Sequence, residues 1–177
     1  IAPMIDGHVE GIAVSCFEEV ECLKDLNIQT PIIFTSAHIT TALCETLSRW
    51  SVGFVIHDIC HIQVLLEAKL AANTSVWLKV NTGMNRLGIA PTQVKAALSR
   101  LKTIPEITSV VLMTHCAMAE FPAHAQTQRQ RLAFESIASS YQGESSFSNS
   151  AGIWTLNDVK HDWVRPGLSL YGVLRPI

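Results

Sequence analysis

The chain has 177 residues, 48% of them hydrophobic, enough for one substantial core, since a domain of this size hides roughly 70% of its unfolded surface. Lys and Arg number 13 against 15 Asp and Glu, a balance that argues against a basic nucleic-acid surface and against an acidic disordered tail. No apolar stretch is long enough to span a bilayer, and Ile1 follows no charged n-region, so neither a membrane segment nor a signal peptide is expected. Short apolar runs then alternate with helical patterns. Gly11–Cys16 reads as a strand, followed by Phe17, Val20 and Leu23 at helical spacing. Pro31–Thr35 is the next strand, and Ser36 can cap a helix with the apolar face Ile39, Leu43, Leu47 and Trp50. Gly53–His57 follows, with Asp58 as cap and Ile62, Leu65 and Leu66 as a stripe. After strand Ser75–Asn81, Pro91 suits the first turn of a helix carrying Val94, Ala97, Leu98 and Leu101. Ile107–His115 is a strand, His124–Tyr141 a long polar helix, and strands Ser145–Asn149 and Asp162–Arg165 flank a short helix, Ala151–Asn157.

Seven strand-then-helix units with short connections predict an α/β protein with a parallel sheet and helices outside. A closed (β/α)8 barrel needs eight strands and about 250 residues, while a seven-stranded open sheet would leave two parallel edges exposed. The expectation is therefore an incomplete (β/α)8 TIM-type barrel over residues 1–177, about seven of eight βα units, with the first strand missing. Five cysteines (Cys16, Cys22, Cys44, Cys60 and Cys116) are an odd number without Cys-x-x-Cys spacing. Reduced, mostly buried thiols in a cytoplasmic protein fit better than a disulfide framework.

Ionisable groups fall where strands stop, which is where βα proteins build sites. Alternation along Val76–Asn81 puts Val76, Leu78 and Val80 on one side and Trp77, Lys79 and Asn81 on the other, so Lys79 points inward if the aliphatic side meets the helices. An interior ammonium beside Arg86 is costly. Either Lys79 snorkels to the rim, or a carbamate on it turns a like-charge clash into an Arg–anion pair. Val111, Met113 and His115 share a face, so His115 ends in the barrel mouth or is a satisfied core histidine. Cys116 beside it could be read as a Cys–His pair, but adjacent strand residues point to opposite faces. Ser148-Asn149-Ser150-Ala151-Gly152 turns into a helix, and Ser150 with nearby amides can hold an anion or serve as an ordinary cap. Gly167 and Leu168 can offer N–H groups in the same way after the last strand. Arg165 is either a site residue or a surface partner of Asp162. His57 and His61 imitate a metal pair but fall on different elements without a third ligand, and Gly83–Gly88 lacks the Gly-Lys-Ser/Thr of a P-loop, so no metal is expected. Gln126, Gln128, Arg129, Gln130 and Arg131 read as a solvated helix face.

Lys79-Val80-Asn81-Thr82-Gly83-Met84-Asn85-Arg86-Leu87-Gly88, with Ser148–Gly152 and Arg165-Pro166-Gly167-Leu168-Ser169-Leu170-Tyr171-Gly172, resembles the N-terminal barrel domain of alanine racemases, from about Val9 onward. The resemblance implies a pyridoxal 5'-phosphate (PLP) enzyme that interconverts L- and D-alanine, for D-alanine supply to the cell wall or for alanine catabolism. It implies phosphate contacts from Asn149, Ser150, Gly167 and Leu168, and His115 packed beside the pyridine ring and hydrogen-bonded to Arg165. Arg165 would face the pyridine nitrogen, and a carbamylated Lys79 would hold Arg86 against the cofactor's phenolic oxygen. Arg86, His115 and Arg165 are thus the expected catalytic group. The resemblance also implies a Schiff-base lysine before Ile1, a C-terminal β domain with the tyrosine base beyond Ile177, and a homodimer acting on alanine, with no nucleic-acid or membrane partner. The fragment alone is expected to be inactive. Asn81 departs from the Asp common in the family's Lys-x-Asp-x-Gly-Met pattern. A serine or broad-specificity racemase, a non-catalytic PLP-binding barrel and a degenerate relic are the competing readings.

Overall fold

The computed structural model describes residues 1–173, with seven strands in one sheet ordered as they occur in the chain. Helices connect successive strands. That is the arrangement of a (β/α)8 barrel with seven of its strands among the described residues, the predicted fold class. The chain packs as two compact units, Ile1–Trp77 with Ala97–Ser109, and Leu78–Ala96 with the residues from Val110 onward.

In the first unit, a short helix α1 (Ala2–Ile5) precedes β1 (Ile12–Val14). The sequence pattern does not predict α1. Asp6 anchors the segment behind it, accepting Thr30 N at 2.8 Å, Thr30 Oγ1 at 2.7 Å and Gln29 N at 3.0 Å. Then come α2 (Phe17–Asp25), β2 (Ile32–Phe34), α3 (Thr41–Arg49), β3 (Val52–Ile56) and α4 (Ile59–Glu67). β1–β2 and β2–β3 run parallel, Ile32 opposite both Ile12 and Val52. Every residue of β3 is buried, as a parallel strand covered on both faces should be. Val20 and Leu23 of α2, Leu47 of α3, and Ile62 and Leu65 of α4 supply buried helix faces. Ser36 does not cap α3; its Oγ accepts the His38 amide, and Thr40 is the cap, its hydroxyl accepting Leu43 N at 3.2 Å. Thr40 has the extended backbone a cap requires, and Ile39 is buried ahead of the helix rather than within it. Asp58 caps α4 as predicted, accepting Cys60 N at 2.9 Å.

β4 (Thr74–Lys79), α5 (Val94–Leu101, entered by a 3₁₀ turn over Pro91–Gln93) and β5 (Ile107–Met113) each contribute residues to both units. The second unit continues with α6 (Ala125–Ala138), β6 (Ser145–Asn149), α7 (Ser150–Thr155), β7 (Trp163–Arg165) and a 3₁₀ turn, Leu168–Tyr171. β5–β6 and β6–β7 are parallel. Phe134 of α6 and Phe147 of β6 are fully buried with ring centroids 5.8 Å apart, and His161 packs 5.1 Å from Phe134. Deleting either ring would cost about 3–5 kcal/mol. Cys44 and Cys116 are buried, but Cys16, Cys22 and Cys60 are exposed, so the expectation of mostly buried thiols fails. Cys16 does work at the surface: it caps α2, whose Glu19 reaches back to the Ser15 and Cys16 amides.

Candidate active site

All the predicted site residues fall in the second unit. Lys79 ends β4, and the eight residues Asn81–Gly88 make a loop that a bridge between Val80 and Ile89 closes. Asn81 N donates to Ile89 O and Ile89 N to Lys79 O, both at 2.9 Å. Gly88 explains itself here: at φ +130°, an added Cβ would lie 2.6 Å from Asn81 N and 2.8 Å from the Val80 carbonyl carbon. Asn81 organises the interior of the loop. Its Oδ1 accepts Gly83 N at 3.1 Å and Asn85 N at 3.0 Å, while its Nδ2 donates to Asn85 Oδ1 at 3.1 Å. An aspartate could accept the two amides but could not make the third bond, so the departure from the family pattern has a local partner in Asn85.

β5 lies against this loop's root. Val80 N donates to Met113 O at 2.7 Å, Thr114 Oγ1 donates to Val80 O at 2.8 Å, and Thr82 Oγ1 shares a hydrogen bond with Thr114 Oγ1 at 2.8 Å. His115 follows immediately. Arg165, the last residue of β7, donates to Ser146 Oγ, to Thr114 O and, at 3.2 Å, to Phe147 O. It is not the surface partner of Asp162, which instead accepts Ser145 N at 2.8 Å. Nor do Arg165's described hydrogen bonds include His115.

The electrostatics have one sign. Burial, followed by Arg86 and Arg165, pushes the Lys79 ammonium below its usual range. Burial, then Arg165, Lys79 and Arg86, holds the His115 imidazole at about 4. Burial lowers the Arg165 guanidinium to about 10. The described ion pairs join Arg131 to Glu135 and to Asp158, and no carboxylate neutralises this group among the described residues. Two partly buried cations, Lys79 and Arg165, with the exposed Arg86 beside a neutral imidazole, form an arrangement that favours an anionic ligand.

A second anion-friendly feature lies at the ends of β6 and β7. Asn149 caps α7 through Gly152 N at 3.0 Å, and its Nδ2 donates to Cys116 O at 3.1 Å. Ser150 Oγ accepts Gly167 N at 2.8 Å and Ser169 N at 3.2 Å. A hydroxyl oxygen thus occupies a position between two amides, as an anion's oxygen would. Open space surrounds Gly167 where a Cβ would stand, and the buried Ser169 hydroxyl has no described partner. These groups suit a phosphate. Leu168 lies at the start of the 3₁₀ turn, its side chain exposed, so only its backbone can serve an anion.

The sequence reading missed Gln130. The helix pattern predicts a solvated position, but Gln130 is fully buried, with its carboxamide bonded to His115 O, Ala117 N and Thr82 Oγ1. Gln126 is partly buried and donates to Gly83 O at 3.1 Å. The Gln-x-x-x-Gln spacing on a helix of weak apolar patterning was the available signal. His57 and His61 do meet, ring centroids 4.5 Å apart, but they lie on different elements, and no third ligand completes a metal-binding group among the described residues.

Parallel strands alternating with helices define a barrel-type α/β protein, and a cationic cluster with an anion-friendly turn places its candidate site at the carboxyl ends of the strands. Residues 1–175 match the family model described as "Alanine racemase, N-terminal domain", and the chain belongs to that family. It is 33% identical over 174 residues to the alanine racemase of Thioalkalivibrio sulfidiphilus, covering 97% of this chain and 48% of that protein. Identity to the alanine racemase of Coxiella burnetii is 36% over 169 residues, 95% of this chain and 46% of the relative. The crystal structure of the biosynthetic alanine racemase from Pseudomonas aeruginosa superposes with a TM-score of 0.89 at 27% identity, covering 98% of this chain and 48% of that one. That of Corynebacterium glutamicum gives 0.85 at 26% identity, covering 99% and 52%. The chain spans about half the length of the curated relatives it matches.

Proposed function

We propose that these residues form part of the PLP-binding barrel of an alanine racemase that interconverts L- and D-alanine. The observation that carries this reading is the uncompensated cationic cluster of Lys79, Arg86 and Arg165 around a neutral His115, in a chain of this family. PLP, when bound, supplies the electron sink that lets the Cα proton of the amino acid leave. Ser150, Asn149 and the amides of Gly167 and Leu168 would hold its phosphate end. Arg165 presents a guanidinium that stays charged, so it would offer a pyridine nitrogen hydrogen bonds but no proton. His115 would stand with the cofactor as a neutral imidazole. Lys79 has a lowered pKa, which favours the neutral amine that can add to carbon dioxide, releasing a proton and leaving an N-carboxylate. That anion would pair with Arg86 and orient it toward the cofactor.

Residues 1–177 are read as one partial barrel domain of a cytoplasmic homodimer. No helix among the described residues is long and apolar enough to cross a membrane. The exposed Leu168, Leu170, Tyr171 and Val173 are suited to being covered in a larger assembly. The test is to express the full-length protein, add PLP, and follow D-alanine formation and solvent-deuterium entry at Cα, with serine run alongside. Exchange and inversion of alanine support the reading. PLP binding without exchange would point to a non-catalytic PLP carrier, and preferential turnover of serine would reassign the substrate.

A further inference from the structure

α6 has a polar inner face, and that face is directed at the backbone of the two loops that carry the site. Gln130 Oε1 accepts Ala117 N at 2.8 Å, and Gln130 Nε2 donates to His115 O at 2.9 Å and to Thr82 Oγ1 at 3.3 Å. Thr82 continues the chain of bonds to Thr114, and Thr114 to Val80 O, one residue past Lys79. One turn earlier, Gln126 Nε2 donates to Gly83 O, and Thr127 Oγ1 donates to Met118 O at 2.8 Å. Gly83 makes the approach possible: at φ +138°, an added Cβ would come within 3.2 Å of Gln130 Cγ.

We propose that Gln130 is a positioning residue, whose carboxamide locks the segment after His115 to the Asn81–Gly88 loop and so sets His115 and Arg86 in one arrangement. The inference rests on the racemase reading for its catalytic consequence, though not for its structural one. The site demands a neutral amide, since the contacts include one donor from the protein and two acceptors. A leucine fills a similar volume and makes none of the three bonds. A glutamate keeps the bond from Ala117 N, loses both donors, and becomes a competent donor again only when protonated. Thr82 of the loop and Thr114, which precedes the imidazole, lie 32 residues apart along the chain, so the alignment of the two segments depends on such cross-bonds.

The full-length protein is compared with its Gln130→Leu, Gln130→Glu and Thr82→Val variants. Amide hydrogen exchange is read at Ala117, Gly83 and Asn85, and racemisation kinetics are measured in parallel. In Gln130→Leu, exchange at all three amides should quicken, and kcat should fall on the order of tenfold to a hundredfold with KM for alanine little changed. In Gln130→Glu, kcat should recover as pH falls and the carboxyl protonates. Thr82→Val leaves the bond from Ala117 N in place, so Gly83 and Asn85 should quicken while Ala117 keeps its protection; this variant decides the matter if Gln130→Leu does not fold. Unchanged exchange at Gly83 and Asn85 in both Thr82→Val and a folded Gln130→Leu overturns the proposal. So does a kcat loss that merely tracks the folded fraction. Should the wild-type protein racemise nothing, the functional reading fails, and the exchange pattern alone still supports or overturns the lock.

Discussion

Ser150 Oγ accepts the Gly167 amide at 2.8 Å, joining the first turn of α7 to the turn after β7 through a single hydroxyl. The same oxygen takes the Ser169 amide at 3.2 Å, so the hydroxyl holds donors for which a phosphate would compete. A hydrogen bond to a charged group contributes about 1.5–3 kcal/mol. Ser150→Ala should therefore weaken PLP binding by roughly tenfold to a hundredfold. Absorbance titration of the apo full-length protein checks this. Unaltered affinity would remove Ser150 from the phosphate site.

Lys79 can be tested for its modification directly. Its amine is driven toward the neutral form by burial and by Arg86 and Arg165, and that form reacts with carbon dioxide. Carbon NMR of protein equilibrated with isotopically labelled bicarbonate should show a carbamate signal that Lys79→Ala abolishes. Activity lost in Lys79→Ala should return partly with small carboxylates. A spectrum identical for wild type and variant would leave Lys79 an unmodified lysine reaching the rim.

What the sequence makes legible follows from what apolar patterning can record. Strand positions are legible because β3 and β5 are rich in Val, Ile and other apolar side chains, although the ladders stop at Ile56 and Met113, before the polar His57 and His115. The motif residues were legible through family resemblance, and unit two does gather Lys79, His115 and Arg165 into mutual electrostatic range. Gln130 was not legible as a buried residue. Patterning equates burial with apolar side chains, whereas α6 buries a carboxamide to satisfy backbone groups of two loops. The role of Asn81 was equally hidden, because its partner, Asn85, matters only once the chain turns through φ +58°.

Gly88→Ala tests the closed loop. The new methyl would meet main-chain atoms of Val80 and Asn81, and the left-side φ of +130° adds strain of about 1–3 kcal/mol. At this chain length that lowers Tm by roughly 2–4 °C per kcal/mol. A larger effect is expected on the bridge between Val80 and Ile89, visible as faster exchange at the Asn81 and Ile89 amides. A variant with wild-type Tm and exchange would show that the loop does not need this approach.

The His115 imidazole is held at about 4 in the fold against an ordinary 6.5, burial first and the three cations after it. Between those values the unfolded chain binds a proton that the folded chain refuses, so unfolding takes up protons and stability rises with pH. The contribution of His115 is therefore fully present above about 6.5, is lost progressively as pH falls toward about 4, and changes no further below that. His61 and His161 are also lowered, chiefly by burial, and act in the same direction. Urea unfolding midpoints of the apo protein between pH 7 and 4 should drop steeply for the wild type and less steeply for His115→Gln, because glutamine cannot take up the proton. Equal slopes for the two proteins would mean that His115 titrates normally and lies outside the cationic cluster.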